Sequence, residues 1–157
     1  MATGFFGKLP ASGDFVARGL GPRIRPQLDR WLTLHLAQPA RNPELWPETG
    51  LHALIEGPQL LLALVILPSH DAAGRHFPLA ACCPVIAADQ AGIEDWAAIM
   101  RPALHQAQTG ALGPDALFAA LKPTTPSAEV AEALTPPVIW GKDPPAAPEE
   151  CLSCLFG

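Results

Sequence analysis

The feature of this chain that most constrains its fold is one uninterrupted apolar segment. After Gln59 the sequence reads Leu-Leu-Leu-Ala-Leu-Val-Ile-Leu, and this segment ends at Pro68. An apolar run of this length that ends at a proline is typical of a central strand buried on both faces. We therefore expect a sheet that is covered by helices on both sides.

Hydrophobic periodicity and turn residues place further elements around this strand. The predicted strands cover residues 4–10, 14–18, 51–56, 77–87, 138–140 and, at an edge, 151–156; the predicted helices begin near residues 23, 89, 113 and 127. Pro84 should break the pairing of its strand or confine it to one side, and Pro102 should kink or interrupt its helix. The expected fold is a single domain over 1–157, a three-layer α/β/α sandwich with a mixed, largely antiparallel sheet.

Composition excludes several classes of function. Charged residues make up 16% of the chain and hydrophobic residues 49%, which argues against disorder. The net charge of −5 argues against nucleic acid as a partner, since nucleic-acid binding needs a basic surface. The longest apolar run is about half of what a membrane-spanning helix needs, and residues 1–13 contain no leader-like apolar core. We expect a cytoplasmic protein with reduced cysteines.

The cysteines raise the possibility of a zinc site. Cys151 and Cys154 have the spacing of a thiolate pair, but the chain has no second pair of that spacing. Cys82 and Cys83 are adjacent in a predicted strand, so their side chains should point to opposite faces. The favoured interpretation is that the cysteines are small core residues, with no metal and no cofactor. A small zinc-binding protein remains an alternative.

No pattern of a known catalytic site is present in the sequence. There is no Gly-x-Ser-x-Gly elbow, and Ser69, His70 and Asp71 are consecutive, whereas the members of a catalytic triad meet across space. We therefore predict no catalytic residues. A hydrolase-like enzyme that uses Asp14, Asp71 and His70 stays open as an alternative.

A set of polar residues on two predicted turns is the strongest candidate for a site. It comprises Lys8, Ser12 and Asp14 on the first turn and Ser69, Asp71 and Arg75 on the second. The two aspartates either pair with Arg75 or Lys8 and cap backbone N–H groups, or belong to a surface that docks a partner. Trp46 and Trp140 are possible anchors of such an interface, provided that they are exposed.

Both turns lie in segments that resemble a known family. Residues 4–16, Gly-Phe-Phe-Gly-Lys-Leu-Pro-Ala-Ser-Gly-Asp-Phe-Val, are similar to the opening signature of TagF, an accessory protein of bacterial type VI secretion. Residues 67–79 resemble its second signature, Met-Pro-Ser-x-Asp-x-x-Gly-Arg-x-Phe-Pro-Leu, from which Leu67 and His70 depart. Residues 29–32, Asp-Arg-Trp-Leu, resemble the helix between them, and the resemblance is weak beyond residue 79.

The resemblance implies a cytoplasmic regulator rather than an enzyme. TagF proteins act after translation to hold type VI secretion off, and they are linked to a threonine-phosphorylation pathway and to a forkhead-associated scaffold protein. The fold that the resemblance implies is a three-layer α/β sandwich. It supplies no catalytic residues, and it implies a protein as the partner.

Overall fold

A computed structural model describes residues 2–157 of the chain. In this range the strands are β1 (Gly4–Gly7), β2 (Val16–Arg18), β3 (Leu51–Glu56), β4 (Leu61–Leu67), β5 (Leu79–Val85) and β6 (Val138–Trp140). The α-helices are α1 (Ile24–Leu36), α2 (Gln90–Gln108), α3 (Pro114–Leu121) and α4 (Pro148–Phe156), and short 3-10 turns cover Pro39–Arg41 and Pro43–Leu45.

The apolar segment forms the central strand that the sequence predicts. The strand order within the described residues is β2-β1-β5-β4-β3-β6, and every pair of neighbours is antiparallel. Residues 62–67 of β4 are buried. Because side chains alternate along a strand, Ala63, Val65 and Leu67 lie in one core and Leu62, Leu64 and Ile66 in the other.

Helices cover both faces of the sheet, which confirms the three-layer sandwich. On one face α2 and α3 pack in the core that contains Trp96 and Leu117. On the other face α1 packs through Leu28, Leu32 and Leu36, and α4 lies at its margin. The sheet is antiparallel throughout rather than mixed. Among the helices of residues 2–157, none has both the length and the apolarity that crossing a membrane requires.

The predictions made for Asp89 and Pro84 are confirmed, whereas the helix is not interrupted at Pro102. The Asp89 side chain accepts a hydrogen bond from the Gly92 N–H at 2.7 Å, so it is the predicted N-cap of α2. At Pro84 the strand pairs with β4 but no longer with β1, so pairing is confined to one side. The helix α2 continues through Pro102, which is exposed, so of the predicted kink or interruption the interruption is wrong. Met100 and Leu104 are buried on either side of it and hold both halves against the sheet.

Two predicted elements in the last third of the chain are also wrong. Residues 151–156 belong to helix α4 rather than to an edge strand. Pro148 stands in its first turn with two glutamates after it, an arrangement that favours a helix start. The predicted helix after Ser127 is an irregular segment, because its amides bond elsewhere: Ala131 N–H donates to Asp89 and Leu134 N–H donates to the Ala88 carbonyl.

Candidate functional site

Two loops emerge side by side at one end of the sheet. The first loop, residues 8–15, joins β1 to β2, and the second loop, residues 68–78, joins β4 to β5. Gly7 at the end of β1 pairs with Leu79 at the start of β5, so the register brings the two loops to the same end of the sheet. We call the surface formed by residues 8–15 and 68–78 the two-loop platform.

Asp71 is the buried centre of this platform. Its Oδ1 accepts hydrogen bonds from the backbone N–H of Ala73 at 2.9 Å and of Arg75 at 3.0 Å. Its Oδ2 accepts from Arg75 Nε at 2.8 Å and lies 3.3 Å from Lys8 Nζ. Burial alone would raise the pKa of Asp71, but the Arg75 amide, the Lys8 ammonium and the Ala73 amide outweigh it and lower the pKa from 3.8 to about 2. Asp71 is therefore a charged anchor at neutral pH.

Direct hydrogen bonds join the two loops. Ala72 N–H donates to the Ser12 carbonyl at 2.8 Å, and Ser69 Oγ donates to the Lys8 carbonyl at 2.7 Å. Arg75 Nη2 donates to the Gly13 carbonyl at 2.9 Å. All of these bonds end on backbone oxygens of the first loop, so the second loop fixes its shape.

Of the two aspartates predicted to pair with the cations, one does so. Asp71 takes both Lys8 and Arg75, whereas Asp14 accepts a hydrogen bond from the Phe15 N–H at 2.7 Å and is exposed. Asp14 thus caps its own loop, and Ser12 contributes its backbone carbonyl to the platform.

An aromatic cluster under the first loop is a part of the platform that sequence reasoning missed. The Phe15 ring stacks on Phe6 with centroids 5.6 Å apart and meets Phe77 edge-on at 4.9 Å. Lys8 Nζ lies 4.8 Å from the centroid of the Phe15 ring. Phe15 is 37% exposed. All three phenylalanines stand in the segments that resemble TagF, but the ring contacts of the folded chain are needed to show that they meet.

The residues of the alternative hydrolase site are occupied by structural contacts. Asp71 is engaged as described, and a carboxyl with a pKa near 2 is a weak proton acceptor at neutral pH. His70 Nδ1 lies 3.0 Å from the Asp71 carbonyl oxygen and donates to it. Asp14 lies at the exposed side of the first loop.

In the described part of the chain, no cysteine belongs to a group of side chains that could hold a metal ion. Cys151 and Cys154 lie on α4, and residues 2–157 contain no group of three or more histidine, cysteine or acidic side chains placed to hold a metal ion. Cys82 and Cys83 lie in opposite cores, as their adjacency in a strand predicts. Burial raises the pKa of the Cys82 thiol.

Neither candidate tryptophan anchor is exposed. Trp46 is 7% exposed and donates its indole N–H to the Pro39 carbonyl at 2.9 Å. Trp140 is fully buried, and its indole N–H donates to Glu94 Oε2 at 2.8 Å. Exposure was the condition for naming both as interface anchors, and it is not met: each tryptophan satisfies its polar atom inside a core and presents little ring surface outside.

Comparisons with known proteins give one family by sequence and one similar solved structure by fold. The sequence profile described as TagF N-terminal domain, type VI secretion system-associated, matches residues 4–133. In the fold comparison the chain is similar to the crystal structure of PA0076 from Pseudomonas aeruginosa PAO1, with a TM-score of 0.63 and 27% sequence identity. The similarity covers 79% of this chain and 64% of that chain, so this chain spans less than two thirds of the length of PA0076. No curated protein matches the chain.

Proposed function

Because the chain belongs to the TagF family, whose N-terminal domain is associated with type VI secretion, we propose that it is a non-enzymatic regulator of that system. It acts in the cytoplasm after translation, as a repressor. It does so by binding a forkhead-associated scaffold protein or another component of the apparatus.

The observation that supports this proposal is the construction of the two-loop platform. Its central carboxylate is fully used by two cations and two amides, which suits a structural anchor better than a reacting group. Its surface offers an exposed arginine and a half-exposed phenylalanine, and these residue types are common anchors of protein interfaces. A stable interface of ordinary size would cover about 800 Å² of this chain.

A repressor of this type works by occupancy. The fraction of the target that it removes from assembly depends on its concentration relative to the dissociation constant of the complex. Blocking the platform without unfolding the protein should therefore release secretion.

Gly13 is the position at which the platform can be blocked without disturbing the fold. A Cβ added there meets no atom within 4 Å, and the backbone of Gly13 is outside the left-handed region. Gly13→Trp therefore places a large side chain on the surface of the first loop. Gln59→Trp is the matched control, because Gln59 is exposed and precedes β4, whereas the second loop follows it. The length of β4 separates the two sites by roughly 20 Å.

We expect Gly13→Trp to weaken binding to the forkhead-associated scaffold of the same bacterium by about tenfold or more. Gln59→Trp should bind the scaffold as tightly as the unsubstituted chain does. Calorimetric titration of the purified proteins measures both affinities. In cells, the Gly13 variant should fail to repress secretion of apparatus components. The proposal is wrong if the unsubstituted chain does not bind the scaffold and deletion of its gene leaves secretion unchanged.

A further inference from the structure

The ion-paired group at the centre of the two-loop platform, Lys8, Asp71 and Arg75, carries one positive charge in excess. Asp71 faces two cations, Lys8 at 3.3 Å and Arg75 at 2.8 Å. The Lys8 side chain is 10% exposed, so its charge is matched by Asp71 in the interior, whereas the Arg75 side chain is 64% exposed. The surplus charge therefore lies at the surface, on the guanidinium of Arg75.

The guanidinium is held in place by one edge and open at the other. Nε donates to Asp71 Oδ2, and Nη2 donates to the Gly13 carbonyl. These bonds use two of the five guanidinium N–H groups. Within residues 2–157 the remaining donors of Arg75, including both on Nη1, have no hydrogen-bond acceptor. A fixed guanidinium loses little conformational entropy when it binds an anion.

The other acid of the platform, Asp14, is outside this ion-paired group. Asp14 bonds to the Phe15 amide, and the described chain shows no ion pair between Asp14 and Arg75. The chain as a whole has a net charge of −5, and Asp14 brings the formal charge of the platform to zero. The excess positive charge is therefore confined to the group of Lys8, Asp71 and Arg75.

The surroundings of Arg75 suit a protein partner. Phe15 on the first loop is 37% exposed and gives an apolar contact on the same platform. Gly13 and Gly74 have open space where a side chain would stand, so a partner can approach the backbone closely. An arginine and an aromatic ring on an accessible surface are the combination that anchors many interfaces.

We infer that Arg75 binds a carboxylate side chain of the protein partner through its open Nη1 edge, with Phe15 packing beside it. This inference rests on the proposed function, because it names the chemistry by which the platform recognises the same partner. The attraction should weaken as salt screens it.

Substitutions of Arg75 in the full chain test the inference, with the forkhead-associated scaffold as the probe. Arg75→Gln removes the charge and should weaken binding about tenfold or more. It should also flatten the rise of Kd between about 50 and 300 mM salt. Arg75→Lys keeps the charge and supplies an amine. A water-soluble carbodiimide should join that amine to an aspartate or glutamate of the scaffold, and mass spectrometry identifies the linked residue. Gln59→Lys, at the far end of β4, should give no such link.

The outcomes separate the two proposals. If the unsubstituted chain does not bind the scaffold, this inference fails; the proposed function fails with it if deletion of the gene also leaves secretion unchanged. If the chain binds and Arg75→Gln binds equally well with the same salt dependence, this inference alone is overturned. If thermal melting shows that Arg75→Gln disturbs the loops, the carbodiimide link decides: its absence with the Arg75→Lys chain in the complex overturns the inference.

Discussion

Gly7 is the residue on which the position of the first loop depends most. Its φ is +149°, a conformation that side chains with a Cβ rarely adopt. A Cβ at this position would also overlap the Pro78 carbonyl oxygen and lie 2.8 Å from the Leu79 Cα. The glycine therefore allows β1 to leave the sheet directly against the end of the second loop.

Gly7→Ala and Gly13→Ala make the same chemical change on one loop with opposite expectations. Gly7→Ala should lower the free energy of unfolding by about 2 kcal/mol or more, because the backbone strain and the overlap both have to be relieved. Gly13→Ala meets no atom and should change it by less than about 1 kcal/mol in either direction. Urea denaturation measures both values, and equal losses in the two variants would contradict the argument.

The residues of the two-loop platform can be predicted from the sequence, but which aspartate pairs with Lys8 and Arg75 cannot. The polar residues of both turns are recognisable by type and position, and the hydrogen bonds show that they meet. Asp14 and Asp71 are equivalent candidates as partners of Arg75 when only the sequence is known. The difference arises from the second loop, which folds back on itself so that the Asp71 side chain accepts the amides two and four residues later. Such a choice depends on loop geometry that composition does not encode.

Among the elements, the short edge strand β6 is held by its tryptophan. Trp140 pairs with His52 in β3, and the two rings stack with centroids 5.4 Å apart. The indole N–H reaches Glu94 on α2. One side chain thus fastens the edge of the sheet to the helix that covers it.

Trp140→Phe should destabilise the protein, because it keeps most of the ring and removes the N–H. Loss of a hydrogen bond to a carboxylate, together with the space left in the core, should cost about 2 kcal/mol. Trp31→Phe on α1 is the matched control: Trp31 is half-buried, and its indole makes no hydrogen bond in the described chain. Its cost should stay below about 1 kcal/mol. Equal costs in urea denaturation would show that the bond to Glu94 contributes nothing.

The elements that the sequence predicts correctly are those whose pattern has one explanation. The apolar run of β4 and the helical stripe of α1 belong to this group. The segment 151–156 is short and apolar, so its pattern fits a strand or a helix. The helix forms because its apolar side chains pack against the core beneath α1, where the ring centroids of Phe156 and Trp46 are 5.6 Å apart. The segment after Ser127 has a helix-like pattern, but Asp89 captures the Ala131 amide. Contacts distant in the sequence decide both cases.

Ionisable side chains that are buried or partly buried determine how the free energy of unfolding of the whole chain depends on pH. Burial lowers the pKa of His52 below 6.5, and the positive charge of Arg101 lowers it further, while Glu94 opposes the change. His35 is shifted in the same direction by burial. Asp71 titrates near 2 in the folded chain. All three groups therefore bind protons less readily in the folded state than in the unfolded state.

The free energy of unfolding should therefore fall in two stages as pH decreases. Below about pH 6.5, His35 and His52 bind protons in the unfolded chain but remain neutral in the folded chain. The free energy of unfolding therefore declines in this range. A second decline should begin near pH 4 and continue to about 2, as Asp71 loses its charge; Asp89, whose pKa the Ala131 and Gly92 amides lower, contributes in the same range. His52→Gln should reduce the first decline and leave the second. Urea denaturation at a series of pH values measures the slopes. A His52 variant with the slope of the unsubstituted chain between about pH 7 and 5 would show that the packing of His52 against Arg101 and Trp140 does not control its protonation.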